Sequence, residues 1–184
     1  MSPAERLRLR LRLRLRLRGE LLRIRSYPCI LYFMSSPRVF IAGCGFVGLA
    51  TAHLFHSHGW EVIGGTHSRE SSEALSGEPF RVTACDISDR TSVEALRQEL
   101  GSVDAVIHCA SSGRGGAESY QRVYLEGCRN LSDILNPRTL LFTSSTSVYA
   151  QIGGEIVTEE SVTEPDRETG RILRATEELV LERG

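Results

Sequence analysis

The chain has 184 residues, a size that suits one globular domain with a full hydrophobic core. Its net charge of −1 lacks the basic excess of a nucleic-acid-binding protein, and no apolar run reaches the ~18 residues of a membrane span. The five cysteines are odd in number and lack metal-ligand spacing, so we expect reduced thiols in a cytoplasmic protein and no metal site.

The near-neutral total conceals an asymmetry along the chain. Residues 1–33 contain nine Arg and two Glu, whereas residues 34–184 contain thirteen Arg and twenty-one acidic residues. Residues 6–18 alternate Arg and Leu without a break and have no obvious partner, so we expect a disordered Leu/Arg-rich extension over residues 1–36. Two alternatives for this segment are an organelle transit peptide and a basic arm that binds acidic surfaces.

The first regular element is a short apolar run over residues 39–42, which predicts a strand. A Gly-x-Gly-x-x-Gly motif follows directly, and apolar residues at helical spacing then predict a helix over 47–58. In such a motif the first glycine permits a tight turn, the second admits phosphates and the third allows close helix–strand packing. We therefore predict a nucleotide site here, with a purely structural turn as the alternative. Its residues are Gly43, Gly45, Phe46, Val47 and Gly48.

The loop after the second predicted strand, residues 60–64, is expected to select the cofactor. An NAD-preferring protein usually places Asp or Glu here to hold the ribose 2′-hydroxyl, but this loop has no acid before Glu70. Hydroxyl, imidazole and guanidinium groups suit a 2′-phosphate through charge-assisted hydrogen bonds. The loop predicts NADP, with NAD as the alternative cofactor and an ordinary polar loop as the structural one. The residues concerned are Thr66, His67, Ser68 and Arg69.

Strand and helix patterns alternate through the rest of the chain. Strands are predicted over 80–85, 103–110 and 138–143, and helices over 91–100 and 117–136. This alternation predicts an α/β fold with a doubly wound parallel sheet, the Rossmann fold.

Residues at the carboxyl ends of the third and fourth predicted strands complete the predicted cofactor site. An aspartate is placed to accept a hydrogen bond from an adenine amino group, and small residues would let the cofactor cross the strand end. The residues are Asp86, Ile87, Ala110 and Ser111.

Four segments, in order and spacing, resemble the extended short-chain dehydrogenase/reductases, the NAD(P)-dependent epimerase/dehydratase family. They are the glycine motif, Asp86-Ile87, His108-Cys109-Ala110, and the stretch FTSSTSVY over residues 142–149. The resemblance covers residues 38–184, and the last segment is its most specific part. It implies chemistry by Ser or Thr, Tyr and Lys: Tyr acts as acid/base on a substrate oxygen, Lys holds the nicotinamide ribose and Ser orients the substrate.

The chain departs from this family at the catalytic positions. Ser145 matches the Ser/Thr position, but Gly170 stands where the Tyr is expected and Arg174 where the Lys is expected. Tyr124 stands where many members have an Asn. These departures resemble an atypical branch with a Ser-Gly-Arg-type motif and no active Tyr. Arg174 would supply a cation, while Tyr149 is a second-choice acid/base and more typically part of the framework.

Typical members continue with another strand and a smaller substrate lobe, so we expect an incomplete Rossmann domain over 37–184 without that lobe. A lost strand predicts an exposed apolar edge and poor solubility. Two functions are open. One is an NAD(P)-binding, oxidoreductase-like protein acting on a nucleotide sugar or another hydroxyl or carbonyl substrate. The other is a non-catalytic NADP(H)-binding or sensor protein, and either is compatible with a homodimer.

Overall fold

The computed structural model describes residues 36–151 and 153–183, so the predicted extension lies outside the described residues except for Ser36. A five-stranded sheet forms the centre, with every strand pair parallel and the order β3-β2-β1-β4-β5. The strands are β1 (Arg38–Ala42), β2 (Glu61–Thr66), β3 (Arg81–Ala84), β4 (Ala105–His108) and β5 (Thr139–Phe142). This topology confirms the predicted doubly wound α/β fold.

Helices connect the strands in the alternating order that the sequence predicts. They are α1 (Phe46–Ser57), α2 (Arg69–Ala74), α3 (Arg90–Leu100), α4 (Ala117–Tyr120), α5 (Gly127–Asn130) and α6 (Glu168–Arg183). The π-helical segment Gln121–Glu126 joins α4 to α5, and a second one, Leu131–Leu135, extends α5, so that residues 117–135 form one helical run. A 3-10 turn, Thr146–Val148, follows β5. No helix among these described residues is long and apolar enough to cross a membrane.

Element ends shift by up to two residues from the sequence prediction, and three differences have a visible physical reason. Strand β4 is shorter than the predicted 103–110, because its ladder with β1 ends where β1 ends, at Ala42↔His108. The loop predicted after β2 contains the short helix α2, whose start the Ser68 hydroxyl caps by accepting a hydrogen bond from Ser71 N. The long predicted helix over 117–136 is helical, but its hydrogen bonding alternates between α and π patterns.

The sheet is buried on both faces, as a doubly wound sheet requires. Successive residues of β1 point to opposite faces: Phe40 packs with one apolar cluster and Val39 and Ile41 pack with the other. Helix α3, the helical run over 117–135 and α6 contribute to the first cluster, and α1 contributes to the second. The two apolar clusters thus lie on opposite faces of the sheet, each covered by its own helices.

Strand β5 pairs only with β4 among the described residues and forms one edge of the sheet. Leu141 on β5 is 53% exposed and Leu181 on α6 is 82% exposed. A cavity of about 460 Å³ lies between these two elements. The predicted apolar edge is thus present, while poor solubility stays a prediction.

His108 ends β4 and is fully buried. Its Nε2 donates a 2.9 Å hydrogen bond to the carbonyl oxygen of Val123, and its ring lies edge-on to Phe142 at 5.3 Å. Its Nδ1 has no partner among the described residues. Burial lowers the pKa of His108, because the imidazolium form would lose its hydration.

We expect acid to destabilise the fold through His108. The histidine of the unfolded chain titrates near pH 6.5 and the folded one lower, so below about pH 6.5 the unfolded state binds more protons. The free energy of unfolding should fall as the pH drops from 7 to 5, by at most about 1.4 kcal/mol per pH unit. Urea unfolding across this range measures it. His108→Gln, which keeps an N–H donor but cannot titrate, should show a flatter profile; equal slopes for both proteins would contradict the assignment.

Candidate functional site

The turn between β1 and α1 is built from glycines packed against backbone. Gly43 has a left-handed φ of +95°, and its N–H donates 3.0 Å to the carbonyl oxygen of Gly65 on β2. A Cβ at Gly43 would collide with the backbone of Ala110 beyond β4, and a Cβ at Gly48 would collide with the Gly43 carbonyl oxygen. These two glycines are therefore required by packing, as the motif predicts.

Gly45 is different, because no atom lies within 4 Å of the place where its Cβ would be. It is the N-cap of α1, and no side chain caps the helix there. The first N–H groups of α1 therefore have no side-chain partner and lie next to an open space at Gly45, which gives a helix N-terminus able to accept an anionic group. Phe46 and Val47 flank this opening and are 98% and 54% exposed, so they take no part in the apolar core.

The four predicted residues at the end of β2 and directly after it divide into two pairs. Thr66 is buried and its hydroxyl donates to the carbonyl oxygen of Ser68, whose own hydroxyl caps α2. The Thr66 and Ser68 hydroxyls therefore stabilise the turn into α2. His67 and Arg69 are exposed, and Arg69 forms a 2.8 Å ion pair with Glu73 one turn along α2. The exposed cationic or titratable groups at the end of β2 are therefore those of His67 and Arg69.

Asp86 lies after β3 and is surrounded by donors. Its Oδ1 accepts hydrogen bonds from the backbone N–H and the hydroxyl of Ser88, at 2.9 and 2.7 Å. Its Oδ2 is 3.5 Å from His67 Nε2 and 3.9 Å from Arg122 Nη2. Partial burial acts to raise the pKa of Asp86, but the Ser88 hydrogen bonds and the two neighbouring basic groups outweigh it and lower the pKa.

Arg122 is a site residue that sequence reasoning missed. It belongs to the π-helical segment Gln121–Glu126, and its guanidinium donates to the Ser88 hydroxyl at 3.2 Å. The local sequence does not indicate this role, because an Arg on the polar face of an amphipathic helix is usually a solvated surface residue. Only the packing of the helical run beside the β3 loop brings it to Asp86. Ile87, which was predicted to touch the cofactor, directs its side chain into the core against Gly127.

The segment after β4 crosses the same edge of the sheet. Ala110 approaches the Gly43 backbone, and the Ser111 hydroxyl accepts a 3.1 Å hydrogen bond from Gly113 N. The backbone N–H and the hydroxyl of Ser112 donate to the Tyr124 hydroxyl at 3.2 and 3.3 Å. The small residues predicted here therefore form an ordered loop, closed on its far side by an aromatic ring.

The predicted catalytic residues form no hydrogen bond or ion pair with one another among the described residues. Ser145 caps the 3-10 turn, and its exposed hydroxyl lies 2.9 Å from the Ser147 hydroxyl. The Arg174 guanidinium donates to the carbonyl oxygen of Thr163 and to Glu178, so it is engaged along α6. Tyr149 ends the 3-10 turn and is partly buried, a placement that suits a framework role.

Gly170 occupies a closed position in the first turns of α6. A Cβ there would lie 2.5 Å from the Ser147 carbonyl oxygen and 2.6 Å from Pro165 Cβ. Contacts this short do not occur, so α6 can pack against the 3-10 turn only with glycine at this position. The absence of a tyrosine at 170 is therefore built into the packing of the described fold.

A comparison with known families matches residues 39–171 to the NAD dependent epimerase/dehydratase family. The chain belongs to this family. Among curated relatives, Protein YeeZ of Escherichia coli (strain K12) is 31% identical over 155 residues, which cover 77% of this chain and 52% of that protein. The sterol-4-alpha-carboxylate 3-dehydrogenase, decarboxylating, of Dictyostelium discoideum is 27% identical over 113 residues, covering 61% of this chain and 34% of that protein.

Solved structures support the same fold. A putative epimerase from Burkholderia cenocepacia J2315 superposes with a TM-score of 0.66 at 24% identity, covering 80% of this chain and 51% of that one. The UDP-Glc/GlcNAc 4-epimerase from Campylobacter jejuni gives 0.67 at 20% identity, covering 80% and 49%. The chain thus spans about half the length of these two proteins and of the curated relative YeeZ. The predicted family and fold are confirmed.

We expect substitution of the turn glycines to affect stability unequally, according to whether a Cβ at each position meets other atoms. Gly48→Ala should lower the free energy of unfolding by about 2 kcal/mol, since the added methyl collides with backbone. Gly45→Ala is the matched control: its Cβ meets open space, so it should lose only the preference for glycine over alanine at an N-cap, about 0.5–1 kcal/mol. Denaturant unfolding of both variants measures the difference, and equal losses would contradict this division.

Proposed function

We propose that the chain binds a nicotinamide dinucleotide across the carboxyl edge of its sheet, with the pyrophosphate at the start of α1. The observation that supports this most directly is the open space at Gly45 facing an uncapped helix N-terminus. Backbone N–H groups and the helix dipole both favour an anion at that place. Two solved relatives in the family fold, from Bordetella bronchiseptica and Thermus thermophilus, are complexes with NAD.

We propose NADP(H) rather than NAD(H) as the preferred form. No carboxylate stands at the end of β2 to receive a ribose 2′-hydroxyl, and the first acid in the loop is Glu70. His67 and Arg122 place basic groups beside Asp86, and Arg69 begins α2 with an exposed guanidinium. His67 and Arg122 compensate the charge of Asp86, and the exposed Arg69 guanidinium would exchange its Glu73 partner for a 2′-phosphate.

The reaction that we propose for the whole protein is oxidoreductase-like, on a hydroxyl or carbonyl group of a nucleotide sugar or a related substrate. Support comes from the family, from 4-epimerases among the solved relatives and from the exposed Ser145 hydroxyl at the sheet edge. Ser145 would orient the substrate oxygen by a hydrogen bond. The cofactor would supply or accept the hydride.

A second candidate is a non-catalytic NADP(H)-binding or sensor protein. The closed position of Gly170 favours it, because that position can hold no acid/base side chain. The engagement of Arg174 with Thr163 and Glu178 favours it also. Under this candidate the fold and the dinucleotide site are kept and hydride transfer is absent.

Calorimetric titration of NADPH and NADH tests the cofactor proposal. The wild-type chain should bind NADPH more tightly. Arg69→Gln should weaken NADPH binding about tenfold and leave NADH unchanged, because one charge-assisted hydrogen bond to the 2′-phosphate is lost. Arg90→Gln is the matched control, since Arg90 forms the same type of exposed i,i+4 ion pair, with Glu94 on α3. Equal effects of both variants would contradict the NADP proposal, and no binding of either dinucleotide at millimolar concentration would contradict the site itself.

Hydride transfer from NADPH to a panel of sugar nucleotides and ketones separates the two candidate functions. If the protein is an enzyme, Ser145→Ala should lower its rate at least about 100-fold, because the substrate oxygen loses its hydrogen-bond donor. Ser144→Ala, which removes the neighbouring exposed hydroxyl, should leave the rate unchanged. Binding of NADPH without any transfer to the panel would favour the non-catalytic candidate.

A further inference from the structure

Tyr124 is held in place by aromatic packing beside the end of β4. Its ring lies edge-on to Tyr120 at 4.9 Å and is 5.7 Å from Phe142 and 6.0 Å from His108, measured between ring centroids. Phe142 and His108 are themselves paired in register on β5 and β4. The position of the Tyr124 hydroxyl is therefore fixed by the sheet and by the helical run, and not by solvent.

The Tyr124 oxygen is the acceptor in both of its hydrogen bonds. Ser112 donates to it twice, from its backbone N–H and from its hydroxyl. Apart from the Ser112 hydroxyl itself, the residues that the structure describes provide no hydrogen-bond acceptor for the phenolic proton. A phenol has one proton to donate, so this one is available to an acceptor on a ligand.

The sheet order indicates which part of a dinucleotide would lie there. With the pyrophosphate at α1, the half that approaches His67 and Asp86 over β2 and β3 is the adenosine half. The other half then extends in the opposite direction, over β4 and β5, where the Ser112 loop and Tyr124 lie. The hydroxyls of the nicotinamide ribose are hydrogen-bond acceptors that this half of the dinucleotide offers.

We propose that the Tyr124 hydroxyl donates a hydrogen bond to a hydroxyl of the nicotinamide ribose of the bound dinucleotide. This inference rests on the proposed dinucleotide site. The sequence resemblance assigns that ribose to the cation at 174, but the Arg174 guanidinium is engaged with Thr163 and Glu178. Tyr124 is the oriented donor that the fold supplies at the sheet edge instead.

The two hydrogen bonds donated by Ser112 orient the Tyr124 hydroxyl for this contact. They hold the phenolic oxygen on one side, so its proton must point away from the loop. A donor oriented before binding loses little rotational freedom when the ligand arrives. Tyr124 acts here in binding, and no proton transfer is assigned to it.

Titration of the full 184-residue chain with whole dinucleotides and with adenosine-side fragments tests this contact. The probes are NADPH against 2′,5′-ADP, and NADH against ADP. Tyr124→Phe should weaken both dinucleotides about tenfold and leave both fragments unchanged, because it removes one hydrogen bond on the nicotinamide side. Tyr120→Phe is the matched control, since it removes a hydroxyl from the same aromatic cluster and should change neither.

A second variant covers the case in which Tyr124→Phe does not fold, which thermal unfolding would reveal. Ser112→Ala keeps the phenol but removes one of its two anchoring donors, and it should weaken the dinucleotides a few-fold and spare the fragments. Unchanged dinucleotide affinity in the folded variants would overturn the proposal. So would equal weakening of fragments and dinucleotides, which would assign Tyr124 to packing of the whole site.

The wild-type chain distinguishes failure of this inference from failure of the site. If it binds fragments and dinucleotides with equal affinity, the nicotinamide half is not held and only the Tyr124 contact is overturned. If it binds none of the four probes, the dinucleotide site fails, and the Tyr124 contact fails with it.

Discussion

Backbone packing at the β1–α1 turn is the constraint on which the rest of the site depends. Gly43 fits against Ala110 and Gly48 fits against Gly43 only because neither glycine has a Cβ. This contact brings the first turn of α1 to the carboxyl ends of both β1 and β4. It also leaves the single gap at Gly45, so that one close-packed turn produces the opening in which an anion can meet uncapped N–H groups.

The two halves of the sheet edge are stabilised by different interactions. On the β2–β3 side, Asp86 collects donors from three elements, and its lowered pKa keeps it ionised beside His67 and Arg122. On the β4–β5 side, aromatic rings and the buried His108 tie the strands to the helical run. A polar half and an aromatic half suit the two ends of a dinucleotide.

The atypical catalytic region follows from helix packing as well as from residue identity. Gly170 lets α6 approach the 3-10 turn closely, and the same contact excludes any side chain at that position. A back-substitution to tyrosine would have to move the helix before it could supply a proton. Catalysis, if this chain performs it, must therefore use groups from other elements, and Ser145 is the exposed one at the sheet edge.

The sequence by itself determined the order of the five strands, most of the helices between them, the glycine turn and the family, because apolar periodicity and the glycine spacing are local properties. It also located the end of β2 as a place without a carboxylate. Only the tertiary structure decided that Arg122 joins Asp86, that Ile87 turns into the core and that Tyr124 meets Ser112. Those contacts join residues far apart in the chain, and their geometry is set by helix–sheet packing that no local pattern encodes.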